Sequence, residues 1–361
     1  MEKSMYFEYA DKFFPQLVLS IVEKLNDSNR PLSYLYRDLL RRQYSADGKW
    51  ASILAKYTQV AADVVSLDSE LPLKARDTVE NISGEIPKLG LKRYLTEKDI
   101  KDINSMIAAG QPINRVVSRI FQDLPWAIQA IYERIEDIFL SEFSTGVGLS
   151  TRSNGTGVRI DVKYKAENQF QALVKAWAAD PDNATPIADI QQVYDKAEED
   201  GNVISDLYLD EFALRALGKC KEMKEKYAFI SDFSGNNIPA LNFNKLEAVF
   251  QDEWNTTLHR PINRKVRTEL NGVQATHTPW AQGRLVFVCD GIVGDLVWTD
   301  VMEMSRPVAG VVYQTADEFI LASQYAKNDP YREFTSSQAM VVPIISSVDR
   351  IYTLDPKTVA A

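Results

Sequence analysis

Histidine and cysteine are nearly missing from this chain. Its 361 residues hold two of each: His259, His277, Cys220 and Cys289. Two distant thiols give neither a disulfide framework nor a cysteine-only metal site, and they fit a reducing compartment. The histidines lie far apart, without metal-ligand spacing, and neither sits in a recognisable frame beside a serine or cysteine nucleophile. Basic charge is also short. Lys and Arg number 41 against 50 Asp and Glu, a formal net charge of −9. That excludes a general cationic surface for phosphates. The densest basic cluster, Arg37, Arg41 and Arg42, is interrupted by Asp38 and reads as a solvated helix face. Long apolar runs are lacking too. The opening "MEKSMYFEYADKFFPQLVLSIVEK" is broken by Pro15 and preceded by acids, so neither a signal peptide nor a membrane span is expected there. Synthesis in a cytoplasm is expected.

Phosphate-binding glycine motifs are missing as well. "GVGLST", from Gly146, lacks a third glycine and follows a helix pattern instead of a strand. Gly48-Lys49 and Gly218-Lys219 have no upstream glycine and no following hydroxyl. The acidic pairs Glu136–Asp137 and Glu198–Glu199 read as solvated helix faces. No catalytic, metal or cofactor constellation stands out, which weighs against an enzyme.

What is present is enough apolar sequence, 45%, for about two domains. Residues 12–27 and 31–44 read as two helices of an amino-terminal arm, with Asn29 and Pro31 at the second start. Residues 57–97 alternate at both ends, at Val60, Ala62 and Val64 and again at Leu89, Leu91 and Tyr94, around a charged middle with Pro72, Gly84, Pro87 and Gly90. An irregular hairpin of that length exceeds the loops of compact domains, about 12–15 residues at most. Either it moves freely or it lies on another molecule.

Then Ile113, Val116, Val117, Ile120, Phe121, Leu124, Ile128, Ile131, Ile135, Ile138 and Phe139 recur at spacings of three and four. They predict one helix over about 112–143, roughly 48 Å long, kinked at Pro125. Asp99 lies in a shorter lead-in helix ended by Gly110. A hairpin follows, with Asn154–Gly155 at its turn. From 184 the chain alternates: helix 186–200, strand 203–208, helix 209–222 and helix 242–254 capped by Asn242. A second hairpin turns at Asn271–Gly272, and 284–291 reads as a buried strand. Strands at 309–314, 318–325, 333–345 and 349–354 close the chain.

This order of parts resembles the subunit of a tailed-phage capsid. The carboxyl end is more specific. Asp329-Pro330-Tyr331-Arg332-Glu333-Phe334-Thr335, then Gln338, an apolar strand and "IYTLD", is similar to the ending of the lambda capsid protein E family. "DSELPLKARD" and "SGEIPKLGLKRYLTEKDI" resemble that family's extended loop. The resemblance implies an α+β fold of the Hong Kong 97 type. Its parts would be an amino-terminal arm (1–56), an extended loop (57–97), a peripheral domain with a long spine helix (98–183 and 286–361) and an axial α/β domain (184–285).

It also implies a major capsid protein in a phage virion, made in a bacterial host. Its partners would be copies of itself in hexamers and pentamers, a portal, a scaffolding protein or protease, and a decoration protein. Double-stranded DNA would lie inside without sequence-specific binding, with no cofactor and no membrane. The alternatives are a nanocompartment shell of the same fold and a soluble two-domain enzyme with an unmarked site. The expected contacts between subunits are Leu71, Leu73, Lys74, Arg76, Ile86, Lys88, Leu89, Lys92 and Arg93 in the loop, and Arg332, Glu333 and Phe334 in the carboxyl strand. Phe334, Ser336 and Gln338 should face one way. Arg332 and Glu333 should point apart, each towards its own partner, unless they simply guard an exposed strand edge.

Overall fold

The computed structural model describes residues 3–27, 34–54, 80–151, 157–162, 164–231, 239–270, 273–289, 291–328 and 330–360. The expected turns at Asn154–Gly155 and Asn271–Gly272, the start signals Asn29 and Pro31, and the first strand of the extended loop lie outside them. The chain forms two compact units, one of Met1–Trp50, Gly84–Ile138 and Asp295–Pro343, the other of Ala51–Ser83, Phe139–Gly294 and Ile344–Ala361.

The first unit is organised by a six-stranded sheet. Its order is Leu40–Tyr44, Gly294–Thr299, Arg332–Ile345, Ile320–Lys327 and Val312–Ala316, and Lys88–Leu95 also pairs with Arg332–Ile345. The predicted arm helix is present as Phe7–Leu25. The second predicted arm helix is corrected. Among its described residues only Tyr36–Leu39 is helical, and the chain then extends into the strand Leu40–Tyr44. In "LRRQY" Leu40 is the one aliphatic residue and Tyr44, a helical turn on, is half-exposed, so pairing with the sheet decides its conformation.

The long helix is also corrected. Two helices form, Ile113–Ile120 and Leu124–Thr145, with a turn between them. Pro125 falls in the first turn of the second, where its missing N–H leaves no helical bond unmade. It permits a fresh start and kinks nothing. All the predicted apolar face positions are buried except Ile113. The lead-in helix is Glu97–Ala108. Thr96 and Asp99 form a reciprocal capping box at its start, and Gly110 follows its end at φ +63°.

Two charge readings also change. Glu136 and Asp137 are buried, not solvated. Glu136 accepts hydrogen bonds from the backbone N–H groups of Leu35 (3.0 Å) and Tyr36 (3.1 Å), and Asp137 pairs with Arg134 at 2.7 Å. Arg37 and Arg42 belong to no solvated helix face. Both reach Asp317, at 3.8 and 2.8 Å.

The second unit holds a five-stranded sheet in the order Gln169–Ala172, Ile351–Val359, Leu285–Val288, Asp206–Tyr208 and Thr257–Leu258. The helices Pro186–Glu199, Glu211–Lys219, Lys221–Ile230 and Phe243–Trp254 contribute to one core with it, around Trp177, Leu217, Phe250 and Phe287. The Asn242 side chain accepts from Lys245 N–H, the predicted cap. Gly146 sits at φ +76° after the helix ending at Thr145, so the apparent nucleotide loop is a helix stop. A Cβ on Gly218 would lie 2.4 Å from the Leu241 carbonyl oxygen, so that glycine serves close backbone packing. Two hairpins, Val147–Thr151 with Gly157–Asp161 and Val266–Leu270 with Val273–His277, pair only with themselves among the described residues.

Candidate assembly surface

The strand Arg332–Ile345 carries the sequence feature that first pointed to a function. Its burial alternates over the first half. Glu333, Thr335, Ser337, Ala339 and Val341 are buried, while Arg332, Ser336, Gln338 and Met340 are half-exposed. Phe334, Ser336 and Gln338 therefore share a face, and Phe334 is the buried exception on it. Ser337 Oγ donates to the Ala127 carbonyl at 2.6 Å, so the opposite face packs on the helix Leu124–Thr145.

This stretch is not a strand edge. Residues 332–339 pair antiparallel with Ile320–Lys327, and residues 333–340 pair antiparallel with Lys88–Leu95. The returning limb of the extended loop is thus hydrogen-bonded to the "REF" strand of its own chain.

The three strands bring one aromatic row together. Tyr94, Phe334 and Tyr325 are successive register partners, with ring centroids 5.7 and 5.3 Å apart. Such pairs contribute about 0.5–1.5 kcal/mol each beyond area burial. Three cations roof the row. Lys92 Nζ lies 5.5 Å and Lys327 Nζ 5.8 Å from the Phe334 centroid, and the Arg332 guanidinium lies 4.2 Å from that of Tyr94. None of the three has a carboxylate partner among the described residues. The result is a cationic patch over a mostly buried aromatic row, of which only Tyr94 is exposed, and no carboxylate is paired to it among the described residues.

The other predicted contacts fall elsewhere. Lys88 reaches Glu303 at 3.2 Å. Arg93 reaches Asp123 at 3.4 Å and lies 3.5 Å over the Trp126 ring. Leu89 is half-buried, and Ile86 is buried with its N–H donating to the Gly48 carbonyl. Glu333 is buried. Its Oε1 accepts from Met5 N–H at 2.8 Å and from Tyr331 O–H at 2.6 Å, while its Oε2 has no hydrogen-bond partner. Leu71, Leu73, Lys74 and Arg76 lie outside the described residues. Sequence reasoning missed Tyr325 and Lys327 as members of the patch, and gave Tyr94 only as a strand residue. Only the cross-strand register, Lys327 opposite Arg332 and Tyr325 opposite Phe334, reveals them.

One cluster has the outward form of reactive chemistry. His259 Nε2 lies 2.6 Å from Asp206 Oδ1, and its ring stacks on Tyr208 at 4.2 Å. The Ser205 hydroxyl donates to Asp206 Oδ2 at 2.5 Å. That hydroxyl addresses the carboxylate and not the imidazole, so the arrangement does not activate it as a nucleophile. Among the described residues no group of three or more His, Cys, Asp or Glu is placed to hold a metal, and no helix is long and apolar enough to cross a membrane.

No family model and no curated protein matches the chain. Solved structures do. The crystal structure of the putative capsid protein of a prophage of E. coli CFT073 is similar, with a TM-score of 0.59 and 13% identity, over 96% of this chain and 99% of that one. The chain has the Hong Kong 97-type capsid fold. A phage-related protein from Bordetella bronchiseptica RB50 is also similar, with a TM-score of 0.52 and 12% identity, over 95% of this chain and 98% of that one. The Hong Kong 97-type fold accounts for the long spine helix under the sheet and for a loop whose limb joins that sheet.

Proposed function

We propose that the chain is the major capsid protein of a tailed phage or prophage, which self-assembles through hexamers and pentamers into an icosahedral shell around double-stranded DNA. The observation that carries this reading is the likeness over nearly the whole of both chains to a putative prophage capsid protein. The role is structural and not enzymatic. A closed shell of one subunit type needs repeated contacts whose rotations close. The patch of Lys92, Lys327 and Arg332 around Tyr94 suits one such contact, because it offers an exposed ring and cations with no ion-pair partner among the described residues.

In this reading residues 1–56 form the arm, 57–97 the extended loop, 98–183 with 286–361 the peripheral domain, and 184–285 the domain around each capsomer axis. Portal, scaffolding protein or protease, and decoration protein are its partners in a virion built in a bacterial cytoplasm. Negative-stain microscopy and light scattering of the purified protein test the reading. Capsomers or shells, with nuclease-protected DNA in particles from infected or induced cells, are expected. A monomer at every concentration overturns it.

A further inference from the structure

The hairpin Val266–Leu270 with Val273–His277 has no third strand among the described residues, and its base is packed, with Val266 buried. Every residue of its second strand is exposed, and Val273 is 72% exposed. A two-stranded ribbon standing alone is marginally stable in water. The register puts Thr268 opposite Ala275, with Val273 on that same face by alternation. Arg267 and Glu269, opposite Thr276 and Gln274, point the other way. Beyond the buried Val266, the ribbon thus offers the exposed Val273 and Ala275 and outer backbone edges that pair with no strand among the described residues.

Its charge contrasts with that of the chain. Residues 259–277 carry Arg260, Arg264, Lys265 and Arg267 against Glu269, a formal +3. The whole chain is −9, so the remainder is −12. Lys265 and Arg267 are exposed, and neither has an ion-pair partner among the described residues. We propose that this hairpin is a docking element that seats on the acidic surface of a second copy of the chain.

Charge complementarity selects that occupant. A basic ribbon on an acidic subunit meets an attractive surface on every other copy. The contact is heterologous, hairpin to body, which is the type that builds rings and shells. Nucleic acid is the other candidate for the four cations. It has no use for the apolar face of Val273 and Ala275 or for open backbone edges, which suit a protein surface.

The inference rests on the shell-forming reading above and names one of its contacts. Two full-length variants test it, K265E/R267E and V273D/A275D, each read by sedimentation velocity over a concentration and salt series. Melting temperature and binding to a 30-base-pair duplex are measured in parallel. Both variants should need at least tenfold more protein to assemble, with the melting temperature unchanged. Wild-type assembly should weaken as salt rises. If wild type assembles and both variants assemble equally well, the hairpin is not the docking element, while the shell reading stands. If K265E/R267E loses duplex binding but assembles normally, the cations serve phosphate and the inference fails. A wild type that never assembles overturns both readings.

Discussion

Arg42 Nη2 lies 2.8 Å from Asp317 Oδ1, across 275 residues of sequence. Asp317 sits in the tight turn between Val312–Ala316 and Ile320–Lys327, where it and Glu318 both have positive φ, +51° and +71°. The same carboxylate accepts the Tyr132 hydroxyl at 2.9 Å and has Arg37 within 3.8 Å. One strained, nearly buried acid therefore ties the arm, the spine helix and a sheet turn together. Asp317→Ala should cost about 2 kcal/mol, because it leaves the buried Tyr132 hydroxyl without its acceptor and removes an acid shared by Arg37 and Arg42, which keep weaker contacts to Tyr36 and Glu318. Urea unfolding of the subunit measures this. A loss below about 0.5 kcal/mol would show that the groups around Asp317 find other partners.

Glu142 gives a pH dependence. It is fully buried. Its Oε1 accepts from the backbone N–H of Ile345 at 2.8 Å and its Oε2 has no partner. Burial pushes it up to about 8 from an ordinary 4.5. The native state thus holds a proton that the unfolded chain releases. Stability from this group is fully present below pH 4.5 and is lost as pH rises to about 8, by up to about 5 kcal/mol in total. Glu142→Gln keeps the acceptor for Ile345 and cannot ionise. Its stability should hold between pH 6 and 9 where the parent's falls. Parallel slopes in thermal melts over that range would contradict the assignment.

Arg332 and Glu333 should separate assembly from folding. Arg332 touches the half-exposed Tyr94 ring from outside, an interaction contributing about 0.5–1 kcal/mol. Arg332→Ala should barely change unfolding and should weaken assembly at least tenfold. Glu333→Ala removes a buried acceptor of two hydrogen bonds and should cost about 2–3 kcal/mol of subunit stability. Light-scattering assembly assays beside denaturant melts report both. If Arg332→Ala lowers the melting point and leaves assembly intact, the residue is an internal brace.

The boundaries of a loop deletion follow from the strand register. Removing residues as far as 92 would take away five of the eight residues of the strand Lys88–Leu95 and expose the backbone of residues 336–340. Replacing 60–78 by a short glycine–serine linker spares that pairing. The subunit should fold with the parent's circular dichroism and melt, and should form no shells in electron micrographs. Shells of normal size would remove the loop from the assembly scheme.

The periodic signals were legible because they depend on nearest neighbours along an element. Ile120, Ile128, Ile131 and Ile135 declared a buried helix face, and Phe334, Ser336 and Gln338 declared a strand face. The helix break before Pro125 was misread because proline favours a first turn as strongly as it disfavours an interior. Leu40–Tyr44 looked helical until the sheet supplied a partner. The fates of Glu136, Arg37 and Arg42 depend on partners about 100 or more residues away, and composition holds no record of those. The patch was half legible. Arg332, Phe334 and Lys92 stood out in the sequence, whereas Tyr325 and Lys327 joined them only through register.

The pairing of Lys88–Leu95 with residues 333–340 has a mechanical side. Its eight aligned residue pairs run antiparallel, inside a sheet whose next strand is also antiparallel. A pull along the axis of that limb loads those rungs together in shear, where a pull across it would unzip them singly. In a container swollen by tightly wound polymer, wall tension arriving along this strand would be spread over the whole seam.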